Sequence, residues 1–165
     1  MVRTNNITFS YKEFEKPEDL LPEERELTLA ASEAAERAYA PYSKFRVGAA
    51  IRLESGKIVS GANVENAAFP SGICAERSAL SNSISNYPDD NPVAMAIVAM
   101  TSDGMIAETV SPCGNCRQVI AEEEFRTGKQ IRMILSGRNK TQVLESIFPL
   151  LPLQFNRNSL RVDRP

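Results

Sequence analysis

Three cysteines and one glutamate are the residues of this chain whose types and spacing suit chemistry. Glu76 lies two residues after Cys74, and Cys113 and Cys116 follow about forty residues later in a chain without histidine. A structural zinc site usually takes four protein ligands from cysteine and histidine, and only three are available here. Three thiolates leave a fourth tetrahedral position for water, beside a carboxylate that can move its protons. The set indicates a catalytic zinc site rather than a structural one.

The flanking residues favour helix N-termini as the positions of the cysteines. Cys113 and Cys116 are three residues apart and follow Pro112, and Cys74 comes shortly after a Pro-Ser-Gly segment. A thiolate at a helix N-terminus gains from free backbone N–H groups and from the positive end of the dipole, which lower its pKa. We therefore expect two helix N-termini to meet at one metal ion.

Two arginines and Glu76 lie next to the predicted metal ligands in the sequence. Arg77 lies three residues after Cys74 on the same helical face, so we expect its guanidinium to donate hydrogen bonds to zinc-bound sulfur. Arg117 is the second candidate for this role. A spacing of two does not place Glu76 on the helical face of Cys74, so its approach to the metal depends on the geometry of the first turn.

Other interpretations of the cysteines stay open at this point. The CGNC segment resembles a thioredoxin-type redox pair, although that interpretation leaves Cys74 and Glu76 unexplained. A structural zinc completed by a carboxylate, or three inert buried cysteines, would use the same residues. Taken alone, Arg77 also suits a plain surface position, and Glu76 suits an acid at the positive end of a helix dipole.

Composition and charge exclude several classes of protein. The chain is 42% hydrophobic and 24% charged with a net charge of -2, whereas a general polyanion binder normally has a basic excess. No apolar stretch approaches the ~20 residues that span a bilayer, and the N-terminus lacks the apolar core of a signal peptide. We expect a cytoplasmic protein without nucleic-acid or membrane partners, where cysteines more often bind metal or catalyse than form disulfides.

The hydrophobic pattern predicts a mixed sheet sandwiched by helices. Residues 1–21 are interpreted as an N-terminal extension that carries a short alternating edge strand at residues 7–11. The predicted helices span residues 22–39, 71–85, 114–125 and 141–148, and the predicted strands span residues 47–54, 57–64, 93–101 and 131–136. Hairpin strands followed by alternating helix–strand units are typical of the α/β class.

Longer blocks of the sequence resemble a known family. Cys-Ala-Glu followed about forty residues later by Pro-Cys-x-x-Cys is similar to the pattern of zinc nucleoside and nucleobase deaminases. The chain also resembles the small homotetrameric cytidine deaminases of nucleoside salvage in the blocks APYSKFRVGAAI, GANVENAAFPSGICAERSAL and SPCGNCRQVI and in the LLPLQF tail. This resemblance implies one domain over residues 22–165, built as a three-layer α/β/α sandwich around a mixed five-stranded sheet.

The resemblance also implies a reaction and its central residues. Cys74, Cys113 and Cys116 correspond to the ligands of zinc (Zn2+), and Glu76 corresponds to the proton shuttle. The implied reaction is the hydrolytic deamination of cytidine and 2′-deoxycytidine to uridine and 2′-deoxyuridine, with release of ammonia.

Five further residues are implied to contact the nucleoside. Asn63 and Glu65 resemble the pair that hydrogen-bonds the ribose hydroxyls, and Phe45 resembles the aromatic residue that lines the base and sugar pocket. The backbone of Ala75 is expected to contact the pyrimidine edge. Phe155 resembles the C-terminal aromatic residue that reaches the pyrimidine ring of a neighbouring subunit, so a homotetramer is expected.

The sequence departs from the family pattern at three places. Phe69 stands where the family usually has a tyrosine at a subunit interface, which removes one hydroxyl. The tail has FNRNSL where the family often has FGPEDL. The first twenty or so residues exceed the shorter family members, and nothing in the sequence assigns them a function.

Three competing functions remain after this comparison of motifs. A polynucleotide-editing deaminase shares the zinc pattern, but such relatives usually have histidine at the position of Cys74. Deamination of another aminated heterocycle, such as a nucleoside antibiotic, would use the same cysteines and Glu76. Asn63 and Glu65 favour it less, because they suit a sugar with free hydroxyls. A zinc-binding module without enzymatic activity would hold zinc and release no ammonia.

Overall fold

Seven strands in residues 1–160, the part of the chain that the computed structural model describes, form one mixed sheet. The strands are β1 (Lys12–Phe14), β2 (Arg46–Leu53), β3 (Ile58–Ala62), β4 (Pro92–Thr101), β5 (Gly104–Met105), β6 (Arg132–Ser136) and β7 (Thr141–Leu144). The α-helices are α1 (Pro22–Glu36), α2 (Ala75–Asn86) and α3 (Gly114–Thr127). No helix in this described part is long and apolar enough to cross a bilayer.

The sheet has the order β1-β7-β6-β4-β2-β3, and β5 pairs with the end of β4. Strands β4 and β6 are parallel, and the other pairs are antiparallel. A parallel pair needs a crossover connection, and α3 lies in this one. The mixed sheet that the sequence predicts is therefore confirmed, with seven strands in the described residues rather than five.

Helix α1 covers one face of the sheet. Its buried residues Leu27, Ala31 and Ala35 pack in one cluster with Ala50 of β2 and Val98 of β4. The small alanine side chains let the helix axis approach the strands closely, which agrees with the alanine-rich face that the sequence shows.

Helices α2 and α3 cover the opposite face. Ala79 and Ile120, from the two helices, pack with Ile51 of β2 and Ile97 of β4. Ile97 and its neighbour Val98 belong to different clusters because successive side chains of a strand point to opposite faces. The chain is therefore a three-layer α/β/α sandwich, as predicted.

The helix predicted at residues 141–148 is wrong. Thr141–Leu144 is strand β7, and it pairs antiparallel with β6 in a register that places Ser136 opposite Thr141. The Gly137 N–H donates to the Lys140 carbonyl at 2.9 Å, which closes a tight turn between the two strands. Because hairpin pairing decides the conformation of so short a segment, its hydrophobic spacing alone misleads.

The N-terminal strand is also displaced from its predicted place. It spans Lys12–Phe14 rather than residues 7–11, and it pairs with β7 at the sheet edge. Leu20, in the same predicted extension, is buried with the α1 face of the sheet. The predicted boundary between the extension and the domain at residue 22 stays a prediction. The predicted end of the domain at residue 165 lies outside the described residues.

Close contact between β3 and α2 depends on Gly61. A Cβ atom at this position would collide with the backbone of Ser78 and Ala79 in α2. We predict that Gly61→Ala lowers the free energy of unfolding by about 1–3 kcal/mol, because the added methyl forces the helix off the sheet. Urea unfolding measures this loss. Gly114→Ala is the control, since no atom lies within 4 Å of a Cβ there, and an equal loss in both variants would contradict the prediction.

Candidate active site

The three cysteine sulfur atoms form one cluster. All three Sγ atoms lie within 4.8 Å of one another, and those of Cys113 and Cys116 are 3.5 Å apart. Tetrahedral zinc with Zn–S bonds of about 2.3 Å places its sulfur ligands about 3.8 Å apart. The donor atoms and their spacing therefore fit one zinc ion, with Cys74, Cys113 and Cys116 as the residues that would hold it.

Two helix N-termini bring the sulfur atoms together. Cys74 is the N-cap residue of α2, and Cys113 is the N-cap residue of α3, which places Cys116 in the first turn of α3. Helix α2 begins at Ala75 rather than at residue 71, because residues 69–71 form a separate 3-10 turn. The Asn115 and Cys116 N–H groups of the first turn of α3 donate toward Cys113 and favour its thiolate.

The three thiols differ in acidity because their surroundings differ. Burial raises the pKa of Cys74 and that of Cys116, and the nearby Glu76 carboxylate acts in the same direction on both. Burial opposes ionisation of Cys113 too, but hydrogen bonds from the Cys116 backbone and thiol and from the Asn115 backbone lower its pKa overall. Cys113 is thus the most acidic of the three thiols.

Glu76 lies beside the cysteines in a buried position. Its side chain is in the first turn of α2, and the residue is only 6% exposed. Burial raises its pKa, while its own backbone N–H and the Cys116 thiol partly offset that effect. Cys74 precedes the helix with an extended backbone (φ -74°, ψ 154°), so helical spacing does not separate the two side chains. The geometry that the sequence leaves open is thereby resolved.

A cavity of about 400 Å³ opens above the cluster. This volume lies within the range of small-molecule sites, about 300–1,000 Å³. One wall carries Cys74, Glu76 and Cys113, together with Ala75, and another carries Asn63 and Glu65 among the remaining lining residues. Two of the predicted metal ligands, the carboxylate and the sugar-binding pair therefore share one cavity, and the third ligand, Cys116, is buried behind it in the cluster.

A short backbone bridge ties these walls together. Val64 and Ile73 exchange two N–H to carbonyl hydrogen bonds of 3.0 Å, which fixes the segment of Asn63 and Glu65 against the residue before Cys74.

Both ends of the Asn63 amide are used by the chain at the start of β2. Its Oδ1 accepts from the Val47 N–H at 2.7 Å, and its Nδ2 donates to the Phe45 carbonyl at 3.0 Å. One Nδ2 hydrogen is left for another acceptor. Asn63 is therefore a fixed donor at the cavity wall.

The predicted aromatic residues occupy different places. Phe45 is half-buried just before β2, where its carbonyl accepts from Asn63, and it is not among the residues of the described chain that line the cavity, so its predicted contact with the base and sugar stays a prediction. Phe155 does not join the cavity of its own chain; it lines a separate apolar groove with Leu80 and Ile84 of α2, and its carbonyl accepts from Gln118 at 2.7 Å.

Several residues that line the cavity are not predicted to do so from the sequence. Phe69 lines it although 75% exposed, and its ring meets that of Tyr42 edge to face with centroids 5.9 Å apart. Val110 and Ser111 line it as well. Their position just before the Pro-Cys-x-x-Cys segment is the one signal that points to them.

The two arginines behave differently. Arg117 donates from Nε to the Pro112 carbonyl at 2.7 Å and from Nη1 to the Leu150 carbonyl at 2.8 Å, so it anchors the segment before Cys113. Arg77 is half-buried in α2 and makes no side-chain hydrogen bond within residues 1–160. Its contact with zinc-bound sulfur stays a prediction.

Comparison with known proteins places this geometry in a family. Residues 22–130 match the model of the cytidine and deoxycytidylate deaminase zinc-binding region. The cytidine deaminase structure from Burkholderia pseudomallei shares 38% identity and a TM-score of 0.67, and the match covers 79% of this chain and 97% of that one. The chain belongs to the cytidine and deoxycytidylate deaminase family, and its cysteine cluster fits the zinc ion of that family.

Two curated relatives differ in their substrates. The cytidine deaminase of Halalkalibacterium halodurans is 48% identical over 92 residues, which are 56% of this chain and 65% of that protein. The match thus spans just under two thirds of that relative's length. Blasticidin-S deaminase of Bacillus cereus is 32% identical over 118 residues, which are 70% of this chain and 81% of that protein.

Proposed function

We propose that this protein catalyses the hydrolytic deamination of cytidine and 2′-deoxycytidine to uridine and 2′-deoxyuridine, with release of ammonia. The observation that carries the proposal is the shared cavity. Its lining includes Cys74 and Cys113 of the three-thiol cluster, the Glu76 carboxylate, and Asn63 with Glu65. The named relatives support the same substrate class.

The chemistry divides between the metal and the chain. When bound, zinc supplies Lewis acidity and lowers the pKa of a water molecule toward about 7. Glu76 accepts a proton and delivers it to N3 of the pyrimidine, which makes C4 electrophilic. After water has added to C4, the same carboxylate takes the proton of the new C4 hydroxyl and moves it to the amine, and the C4–N bond breaks as the carbonyl forms and ammonia leaves. Burial favours the protonated carboxyl, so Glu76 can hold each proton between accepting it and delivering it.

The opposite wall suits a sugar with free hydroxyls. Asn63 offers an N–H donor and Glu65 offers a carboxylate acceptor, and a hydroxyl group both accepts and donates. In this proposal Phe45 packs beside the base and sugar, and the Ala75 backbone meets the pyrimidine edge.

A spectrophotometric assay on purified protein tests the function. We expect loss of cytidine absorbance, equimolar ammonia and one zinc ion per chain. Stoichiometric zinc without ammonia release would refute the proposal and leave a zinc-binding module. Single-stranded DNA and RNA serve as further substrates, and preferential deamination of either would favour the editing alternative over the nucleoside.

A second candidate substrate is a nucleoside antibiotic such as blasticidin S. The similarity to blasticidin-S deaminase extends over more of this chain than the similarity to the Halalkalibacterium cytidine deaminase. The same assay run on cytidine and on blasticidin S separates the two candidate substrates, because it gives a kcat/KM for each compound. We expect cytidine to be preferred, since Asn63 and Glu65 suit free ribose hydroxyls.

We also propose a homotetramer in which neighbouring subunits complete each active site. Phe155 is 59% exposed and lies outside the cavity of its own chain, which supports a role in a neighbouring one. Size-exclusion chromatography with light scattering measures the assembly, and a monomeric mass would contradict it. Cysteines that are free rather than disulfide-bonded support a cytosolic setting, and the proposed nucleoside substrates support a role in pyrimidine salvage.

A further inference from the structure

The carboxylate of Glu65 is held in place by the loop of residues 40–45. Building on the proposed function, we propose that Ser43 is a positioning residue that orients Glu65 toward a hydroxyl of the nucleoside sugar. Ser43 itself touches neither the metal cluster nor the base in this arrangement; it acts through Glu65.

Both oxygens of the carboxylate have partners from this loop. Oε2 accepts the backbone N–H of Tyr42 at 2.9 Å and that of Ser43 at 3.2 Å. Oε1 accepts the Ser43 hydroxyl in a short hydrogen bond. Since each carboxylate oxygen offers about two lone-pair sites, Oε2 is saturated and Oε1 keeps one site. A hydroxyl of a ligand therefore has to donate to Oε1.

The direction of the Ser43 proton is fixed by a second contact. Its Oγ accepts the Phe45 N–H at 3.0 Å, so the hydroxyl hydrogen is directed to Glu65. The hydroxyl and the two backbone N–H groups lower the pKa of Glu65, which keeps it an ionised acceptor. Without the Ser43 hydroxyl, Oε1 would lose the hydrogen bond that fixes the orientation of the Glu65 carboxylate at the cavity.

The backbone of the loop is held in an uncommon conformation between these contacts. Lys44 has φ 57°, the left-handed region, and it is the single non-glycine residue with positive φ in the described part of the chain. Its N–H donates to the Ala40 carbonyl at 3.1 Å. Such a conformation costs about 1–2 kcal/mol for a residue with a Cβ. Here it turns the Ser43 hydroxyl and two N–H groups toward one carboxylate.

The chain contains a matched control for this motif at the opposite end of β2. Ser55 donates its hydroxyl to Asp90 in a short bond and its N–H to the same carboxylate at 3.1 Å. Its Oγ also accepts the Lys57 N–H, at 3.3 Å. Ser55 and Ser43 thus make the same set of contacts, but Ser55 lies about 25 Å away along an eight-residue strand.

The test compares Ser43→Ala, Ser43→Thr and Ser55→Ala on cytidine and on 2′,3′-dideoxycytidine, which lacks both sugar hydroxyls of the ring. We expect Ser43→Ala to raise KM for cytidine about fivefold, the effect of one lost hydrogen bond, with kcat within about twofold. Its kcat/KM for dideoxycytidine should stay within about twofold of wild type. We expect Ser43→Thr to have the wild-type KM for cytidine, because threonine keeps the hydroxyl. We expect Ser55→Ala to have wild-type kcat and KM on both substrates.

A double variant separates positioning from general damage to the fold. In a Glu65→Ala background, Ser43→Ala should cause no further change in KM, because both changes remove one coupled unit. Equal losses on cytidine and dideoxycytidine, an additive double variant, or an unchanged Ser43→Ala enzyme would each overturn the role of Ser43. Absence of cytidine turnover in the wild-type enzyme would instead refute the proposed function itself.

Discussion

Glu76→Gln lowers kcat for cytidine by about three orders of magnitude and leaves one zinc ion bound per chain. This is the expected result because one carboxylate serves both proton transfers, and general acid–base groups typically contribute about 10²–10⁴-fold each. Glutamine keeps the shape of the side chain but can neither accept nor deliver the proton. The assay is steady-state cytidine turnover, and metal analysis is made on the same preparation.

The same substitution should not weaken the fold. Glu76 is 6% exposed, and burial disfavours its charged form, so a neutral isostere removes a desolvation cost. We expect the free energy of unfolding to stay equal or to rise slightly. Glu33→Gln, at an exposed position of α1, is the matched control for both measurements. A Glu76→Gln enzyme within tenfold of the wild-type kcat would contradict the assigned proton transfers.

Cys113→Ser is the second change with a large expected effect, and it should abolish both zinc binding and turnover. Cys113 is exposed as a residue, so the serine hydroxyl meets only a small desolvation cost and the main loss reflects the missing sulfur ligand. Two remaining thiols do not form the three-ligand centre of a catalytic zinc site. Metal analysis after dialysis should find no zinc, and cytidine turnover should fall to background.

Thermal unfolding gives the independent measurement. A ligand at one thousand times its Kd stabilises by about 4 kcal/mol, which is about 10 °C for a domain of this size. Wild-type protein should therefore melt about 10 °C lower after chelation, whereas Cys113→Ser protein should not respond to chelator. Retained stoichiometric zinc in Cys113→Ser would exclude this residue as a ligand.

Local features of the fold and the site are predictable from the sequence. The start of α3 and the buried strand β4 follow from proline, glycine and hydrophobic patterns of a few residues, and those patterns place the start of α2 within four residues. The cysteine cluster is predictable because its members are scarce and lie at those helix starts. Such patterns are local, so the residues of each segment are enough to predict its secondary structure.

Features that depend on distant pairing are not predictable in the same way. Strand β7 has only four residues, and its conformation follows from the hairpin that it forms with β6. The contact between Ser43 and Glu65 joins residues 22 positions apart through a left-handed turn at Lys44. Phe69 is exposed, so its hydrophobic character gives no indication that it lines a cavity.

The meeting of two helix N-termini at one cluster has a consequence for the unfolded chain. A metal ion held by Cys74 and Cys113 closes a loop of about forty residues that contains all of β4 and β5. Closing a loop of that length would cost the unfolded chain about 4 kcal/mol of conformational entropy, so the unfolded chain binds the ion more weakly than the folded chain does. A bound zinc ion is therefore expected to stabilise the folded chain, in which the three sulfur atoms already lie together.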